Sequence, residues 1–78
     1  MSQTIGLLDS VAVRQDLPEL GLSAGEVGAV VEVLSDDAFE VEFVDQSGKT
    51  YGLHTLERSQ IMPLHQRGRA LQLRAQVA

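Results

Sequence analysis

Phe39-Glu40-Val41-Glu42-Phe43-Val44 decides how this chain is read. Apolar and acidic residues alternate without a break. Phe39, Val41 and Phe43 fall on one face, Glu40 and Glu42 on the other. A helix of about 3.6 residues per turn would scatter both sets around its axis, whereas an extended strand sorts them, apolar side inward. Turn-forming residues bound the stretch on both sides. Ser35-Asp36-Asp37-Ala38 precedes it and Asp45-Gln46-Ser47-Gly48 follows, with Gly48 able to take the positive φ that closes a hairpin.

Working outward, residues 49–56 read as the partner strand of that hairpin, with Tyr51 and Leu53 on one face and His54 on the opposite one, facing water. On the other side, residues 26–34 are dense in β-branched valine: Val27, Val30, Val31 and Val33. That favours a strand over a helix, and Gly28 inside it points to a bulge or a sharp bend. Residues 9–15 alternate again, placing Val11 and Val13 inward and Arg14 outward. Between these strands, residues 16–25 hold Pro18, Gly21 and Gly25, too long for a hairpin turn and too broken for a helix. They read as an ordered loop pinned by Leu17, Leu20 and Leu22. Residues 57–60 are compact and polar, fitting a single 3₁₀ turn. Ile61-Met62-Pro63-Leu64 is a short last strand, placed at an edge because Pro63 donates no ladder hydrogen bond.

The chain has 78 residues, enough for one small domain whose core must be dense, since at this size only about 60% of the unfolded surface is buried. The expected architecture is all-β, a small five-stranded SH3-like barrel with a long first loop and a 3₁₀ turn before the last strand; an OB-like barrel is the alternative. The expected core is Val11, Val13, Leu22, Val27, Val30, Val33, Phe39, Val41, Phe43, Leu53, Ile61 and Leu64. The barrel occupies residues 1–64, and residues 65–78 form a basic C-terminal tail, helical or disordered.

Charge divides along the same boundary. All eleven acids lie in residues 1–64, against Arg14, Lys49 and Arg58, a balance of −8. The tail carries Arg67, Arg69 and Arg74 and no acid, a balance of +3. An acidic body repels phosphate, which counts against nucleic acid as a partner, and it raises the encounter rate with a basic protein.

Several chemistries are excluded or unsupported by the sequence. Without cysteine there is no disulfide, thiolate nucleophile or Cys-based metal site. His54 and His65 are the only histidines, and zinc would need carboxylates to complete its ligands, so no metal is expected. Asp36, Asp37, Glu40 and Glu42 read as solvated turn and strand acids rather than a catalytic pair. Gly21, Gly25 and Gly28 make no phosphate loop, and no serine sits in a nucleophile-elbow context. No cofactor or catalytic residue is therefore expected, and the chain reads as a non-enzyme. No apolar run approaches the ~18 residues of a membrane span, and the N-terminus lacks a secretory pattern, so no membrane and a cytoplasmic location are expected.

Leu7-Leu8-Asp9-Ser10-Val11-Ala12-Val13, Asp16-Leu17-Pro18-Glu19, Gly21-Leu22 and Gly25-Glu26-Val27-Gly28 together resemble the opening of a family of short bacterial proteins, domain of unknown function 4926. The residues 39–45 with Gly48, Thr50 and Tyr51, then Thr55-Leu56 and Ile61-Met62-Pro63-Leu64, continue the resemblance through residue 64. It implies an SH3-like barrel that binds a partner, in some members as an antitoxin or immunity protein beside a larger gene. It carries over no functional residues.

The functional expectation is a non-enzymatic protein-binding module docking on another protein, one encoded by a neighbouring gene being the natural candidate. Asp16, Glu19, Asp36, Asp37, Glu40 and Glu42 would steer it, Leu17 and Tyr51 would anchor it, and His54 would add a contact sensitive to pH. In the tail, Leu71 and Leu73 would fold onto the same partner or onto a second copy. Two alternatives are an antitoxin or immunity-type inhibitor of a basic toxin or nuclease, and a nucleic-acid- or ribosome-associated barrel.

Overall fold

The computed structural model describes residues 4–64. Strand β1 (Ser10–Val13) leads into a long loop holding a first 3₁₀ turn (Pro18–Leu20). Strands β2 (Val27–Val33), β3 (Ala38–Val44) and β4 (Thr50–Glu57) follow as a meander. A second 3₁₀ turn (Arg58–Gln60) then delivers β5 (Ile61–Pro63). The five strands form one sheet in the order β4-β3-β2-β1-β5, every neighbouring pair antiparallel. The all-β reading and the 3₁₀ turn before the last strand are therefore observed. The helical or disordered tail expected over residues 65–78, with His65, lies outside the described residues.

The centre of the sheet follows the alternation of β3. Phe39, Val41 and Phe43 are each at most 1% exposed. Fully burying a side chain of this size stabilises by about 1.5–3 kcal/mol. Across the ladder, Phe39 faces Leu56 on one side and Val33 on the other, while Val41 faces Val30 and His54. Val11, Val13, Leu17, Leu22 and Ile61 close the core from β1, the long loop and β5, and Ile5 joins them from ahead of β1. The loop is ordered as its leucines imply: Leu17 and Leu22 form an isolated β-bridge, and both are buried.

Two strands depart from the expected phase. In β2 the bulge lies between Val30 and Glu32 rather than at Gly28. Gly28 instead occupies an inward position, where an added Cβ would come within 2.7 Å of Val41 Cγ1, 2.8 Å of the Glu42 carbonyl and 2.9 Å of Phe43 Cδ2. With Gly28 and Val30 inward, Val27 points out and is half exposed. Val31 is the extra residue at the bulge, and Val33 sits at the open end of the sheet, so neither Val27 nor Val33 belongs to the core. In β4 a second irregularity sets Thr50 against Val44 and Gly52 against Phe43, leaving Tyr51 between them. The inward row is then Gly52, His54 and Leu56, and Leu53 is exposed. The core member of β4 is Leu56. Leu64 is only half buried.

The β3–β4 turn is closed as its composition implies. Gly48 has φ +86°, and Asp45 Oδ1 accepts from the Ser47 and Lys49 amides and from Ser47 Oγ. These donors, the Ser47 hydroxyl foremost, lower the Asp45 pKa. At the other end, the second 3₁₀ turn is held by a capping box between Glu57 and Gln60.

Gly28→Ala should destabilise the fold by about 1–3 kcal/mol, because the added methyl meets backbone as well as side chains and overpacks the contact between β2 and β3. A urea midpoint equal to that of the unsubstituted chain would show that β2 does not approach β3 so closely.

Candidate docking surface

Four places on the surface gather the residues able to meet a partner. The first lies where the β2–β3 turn meets the second 3₁₀ turn. The Arg58 amide donates to the Asp37 carbonyl at 2.8 Å, and its guanidinium donates to the Asp36 carbonyl. Arg58 Nε lies 3.7 Å from Asp37 Oδ1, and the guanidinium stands 5.3 Å from the centroid of the Phe39 ring. An exposed ion pair of this length adds little, up to about 1 kcal/mol; the carbonyl bonds and the ring fix the arginine. Beside it runs a solvent-open trough with Ile5 and Phe39 as its floor and Asp36, Asp37 and Arg58 as its rim. An open trough does not exclude water, so its shape suits contact with another surface better than enclosure of a small substrate.

The second place joins the long loop to β4. Asp16 Oδ1 accepts from the Ala24 amide at 2.9 Å, bracing the loop across its base. Glu26 accepts from the Ser23 amide through Oε2 and from the Tyr51 hydroxyl, at 2.7 Å, through Oε1. The Tyr51 ring packs against Phe43 at 6.1 Å between centroids, and His54 packs on Phe43 at 6.3 Å. The Tyr51 bond, and next the Ser23 amide, lower the Glu26 pKa; the same bond to Glu26 is the main cause raising that of Tyr51.

The third is the outer face of the sheet. Glu32 lies directly opposite Glu40, and Glu42 follows Glu40 on the same face. Glu40 and Glu42 accept from the Thr55 and Thr50 hydroxyls of β4. Exposed Val27, Val44, Leu53 and Met62 lie among them.

The fourth was not singled out from the sequence as a site. Residues 6–9 make a tight turn in which the Asp9 amide donates to the Gly6 carbonyl and Asp9 Oδ2 accepts from the Gly6 amide. At its tip Leu7 and Leu8 are 61% and 73% exposed. Leu8 is the only non-glycine at positive φ among the described residues, at +72°. The Leu8 amide donates to the Val30 carbonyl, which sets the tip beside the β2 bulge and exposed Val31. The signal in the sequence was Asp9 three residues after Gly6, an acid placed to close a turn.

The residues expected to meet a partner are therefore dispersed rather than gathered into one patch. Asp36 and Asp37 share the trough. Glu40 and Glu42 lie on the outer sheet face, Asp16 and Tyr51 flank the long loop, and Glu19 is exposed on the first 3₁₀ turn. Leu17 is 4% exposed and packs in the core, so it cannot project as an anchor; its bridge to Leu22 draws it inward. His54 does not face water as expected, but lies half buried on the inward side of β4 because Tyr51 shifts the phase of that strand. Leu71 and Leu73 lie outside the described residues. Among the described residues no three His, Cys, Asp or Glu side chains cluster as metal ligands, and no helix is long and apolar enough to cross a membrane.

A family model described as a domain of unknown function, DUF4926, matches residues 7–63. No curated protein and no solved structure gave a match.

The Tyr51–Glu26 bond makes stability depend on pH at both extremes. Glu26 has a lowered pKa, so its contribution is present above its unfolded pKa and lost as pH falls through the folded value. Tyr51 has a raised pKa, so its contribution is present below its unfolded pKa and lost as pH rises through the folded value. Tyr51→Phe should shrink both declines in urea midpoint, the acid one only in part because Asp45 still contributes. Superimposable pH profiles for the two proteins would contradict the coupling.

Proposed function

The chain belongs to the DUF4926 family, and we propose that it is a non-enzymatic docking module that inserts an apolar tip into a basic-rimmed cleft on a partner protein. The observation that carries this reading is the turn of Leu7 and Leu8. A bulky residue held in the left-handed region costs about 1–3 kcal/mol. Glycine at position 8 would avoid that strain, and a polar residue would avoid the exposed apolar surface. The chain instead presents two adjacent leucines to solvent, beside exposed Val31. Strain and exposure at one position are accounted for together if the side chain is received by another protein.

Charge supports the basic character of the partner. The −8 balance of residues 1–64 acts at long range and does not require its acids to be contiguous. Asp16, Glu19, Asp36, Asp37, Glu40 and Glu42 then serve as a dispersed steering field, raising the association rate in a salt-dependent way. The leucines supply the desolvated contact that slows dissociation.

The test is affinity capture from the native host with the full chain and with a Leu7→Ser, Leu8→Gly double variant, each at low and high salt. The unsubstituted chain should retain a partner, less of it at high salt. The variant should lose that partner while unfolding at the same or a higher urea concentration, because glycine relieves the strain at position 8. A partner held equally by both proteins, or held equally at both salt concentrations, would overturn the reading.

A further inference from the structure

The outer face of the sheet carries a groove that begins where the described chain ends. Its floor is made of small residues, Ser10 on β1 and Ala29 on β2, which stand directly opposite each other. Val27, Val44 and Glu42 also line it. The row continues across the sheet from Ala29 to Glu42 and from Glu42 to exposed Leu53. Leu64 donates its amide to the Ser10 carbonyl at 2.9 Å, so the chain leaves β5 at the mouth of this groove.

We propose that residues 65–78 of this same chain lie across that groove, Leu71 and Leu73 on the valines and Leu53, and the tail arginines against Glu32, Glu40 and Glu42. Three observations meet in this assignment. The exit point is at the groove. The reach is sufficient: crossing from β5 to β4 spans about 19 Å at ~4.8 Å per strand, and fourteen residues cover about 21 Å even if wound into a helix. The charges are complementary. Glu32 and Glu40 are like charges directly opposed on neighbouring strands, an arrangement that destabilises a sheet unless a cation relieves it. No ion pair among the described residues reaches Glu32, Glu40 or Glu42, while the tail holds Arg67, Arg69 and Arg74 without a single acid. The apolar part is matched in the same way, since Val27, Val44 and Leu53 are each about half exposed around a floor of small side chains. This assignment concerns the row from Ser10 to Leu53 and does not rest on the proposed docking of the Leu7–Leu8 tip.

The chain has no cysteine, so Gln72→Cys gives a single attachment point for a nitroxide spin label in the full chain. Paramagnetic broadening of backbone amides is then read at low salt and at about 1 M salt, where the Debye length falls to about 3 Å. The amides of Val27, Ala29, Glu42 and Leu53 should lose most of their intensity, and those of Leu22 and Asp37 should keep theirs. High salt, or Arg67→Glu with Arg69→Glu, should restore much of the lost intensity. Uniform broadening across the sheet, or none at the groove, would overturn the proposal. So would broadening that appears in full when spin-labelled chains are mixed with isotope-labelled, unlabelled-spin chains, because the occupant would then be the tail of a second copy.

Discussion

The close approach of β2 to β3 at Gly28 is the contact on which the rest of the molecule depends. β3 must bury Phe39, Val41 and Phe43 in a domain with few other large side chains to enclose them. That is possible only if the neighbouring strand comes near enough to leave no gap, and at Gly28 the space a Cβ would need is already taken by Val41, Phe43 and the Glu42 carbonyl. From this contact the phase of β2 follows: Gly28 and Val30 inward, Val27 outward. From the phase of β2 follows the outer face, where Ala29 lines a groove and, past the bulge, Glu32 stands against Glu40. The surface features of the outer face are thus set by how the interior packs.

The legible part of the fold was the part written in alternation. β3, the hairpin at Gly48, the ordered loop on Leu17 and Leu22, and the polar 3₁₀ turn each carry a local signal that tertiary packing reinforces. The illegible part lies where one extra residue resets the period. Val31 and Tyr51 are each the extra residue at a bulge, and no local pattern marks where a strand takes one in. The bulge at Tyr51 turns Leu53 out and His54 and Leu56 in. Val27 is turned out because Gly28 takes the inward position beside it, and Val33 keeps the inward register opposite Phe39 but lies exposed at the end of β2. Ile5 was missed because it precedes the first recognisable strand.

The candidate surface was legible in charge but not in shape. An acidic body follows from counting, and Asp16, Glu19, Asp36 and Asp37 are exposed. Their roles are divided, however. Asp16 and Glu26 brace the long loop, Asp37 helps hold Arg58, and Glu40 and Glu42 line the sheet beside the groove. The exposed leucines are Leu7 and Leu8, whereas Leu17 is buried. A leucine in the left-handed region is decided by the Gly6–Asp9 turn and by the Leu8–Val30 bond, neither of which hydrophobic patterning can display.

The most direct measurement of the central claim is amide hydrogen exchange of the full chain alone and bound to its captured partner. If the Leu7–Leu8 tip is the inserted element, exchange should slow at residues 6–9 and at Val31, while the amides of Val11, Val41 and Phe43 keep the rates of the unbound chain. Protection centred on the trough at Asp37 and Arg58, with residues 6–9 unchanged, would contradict the account.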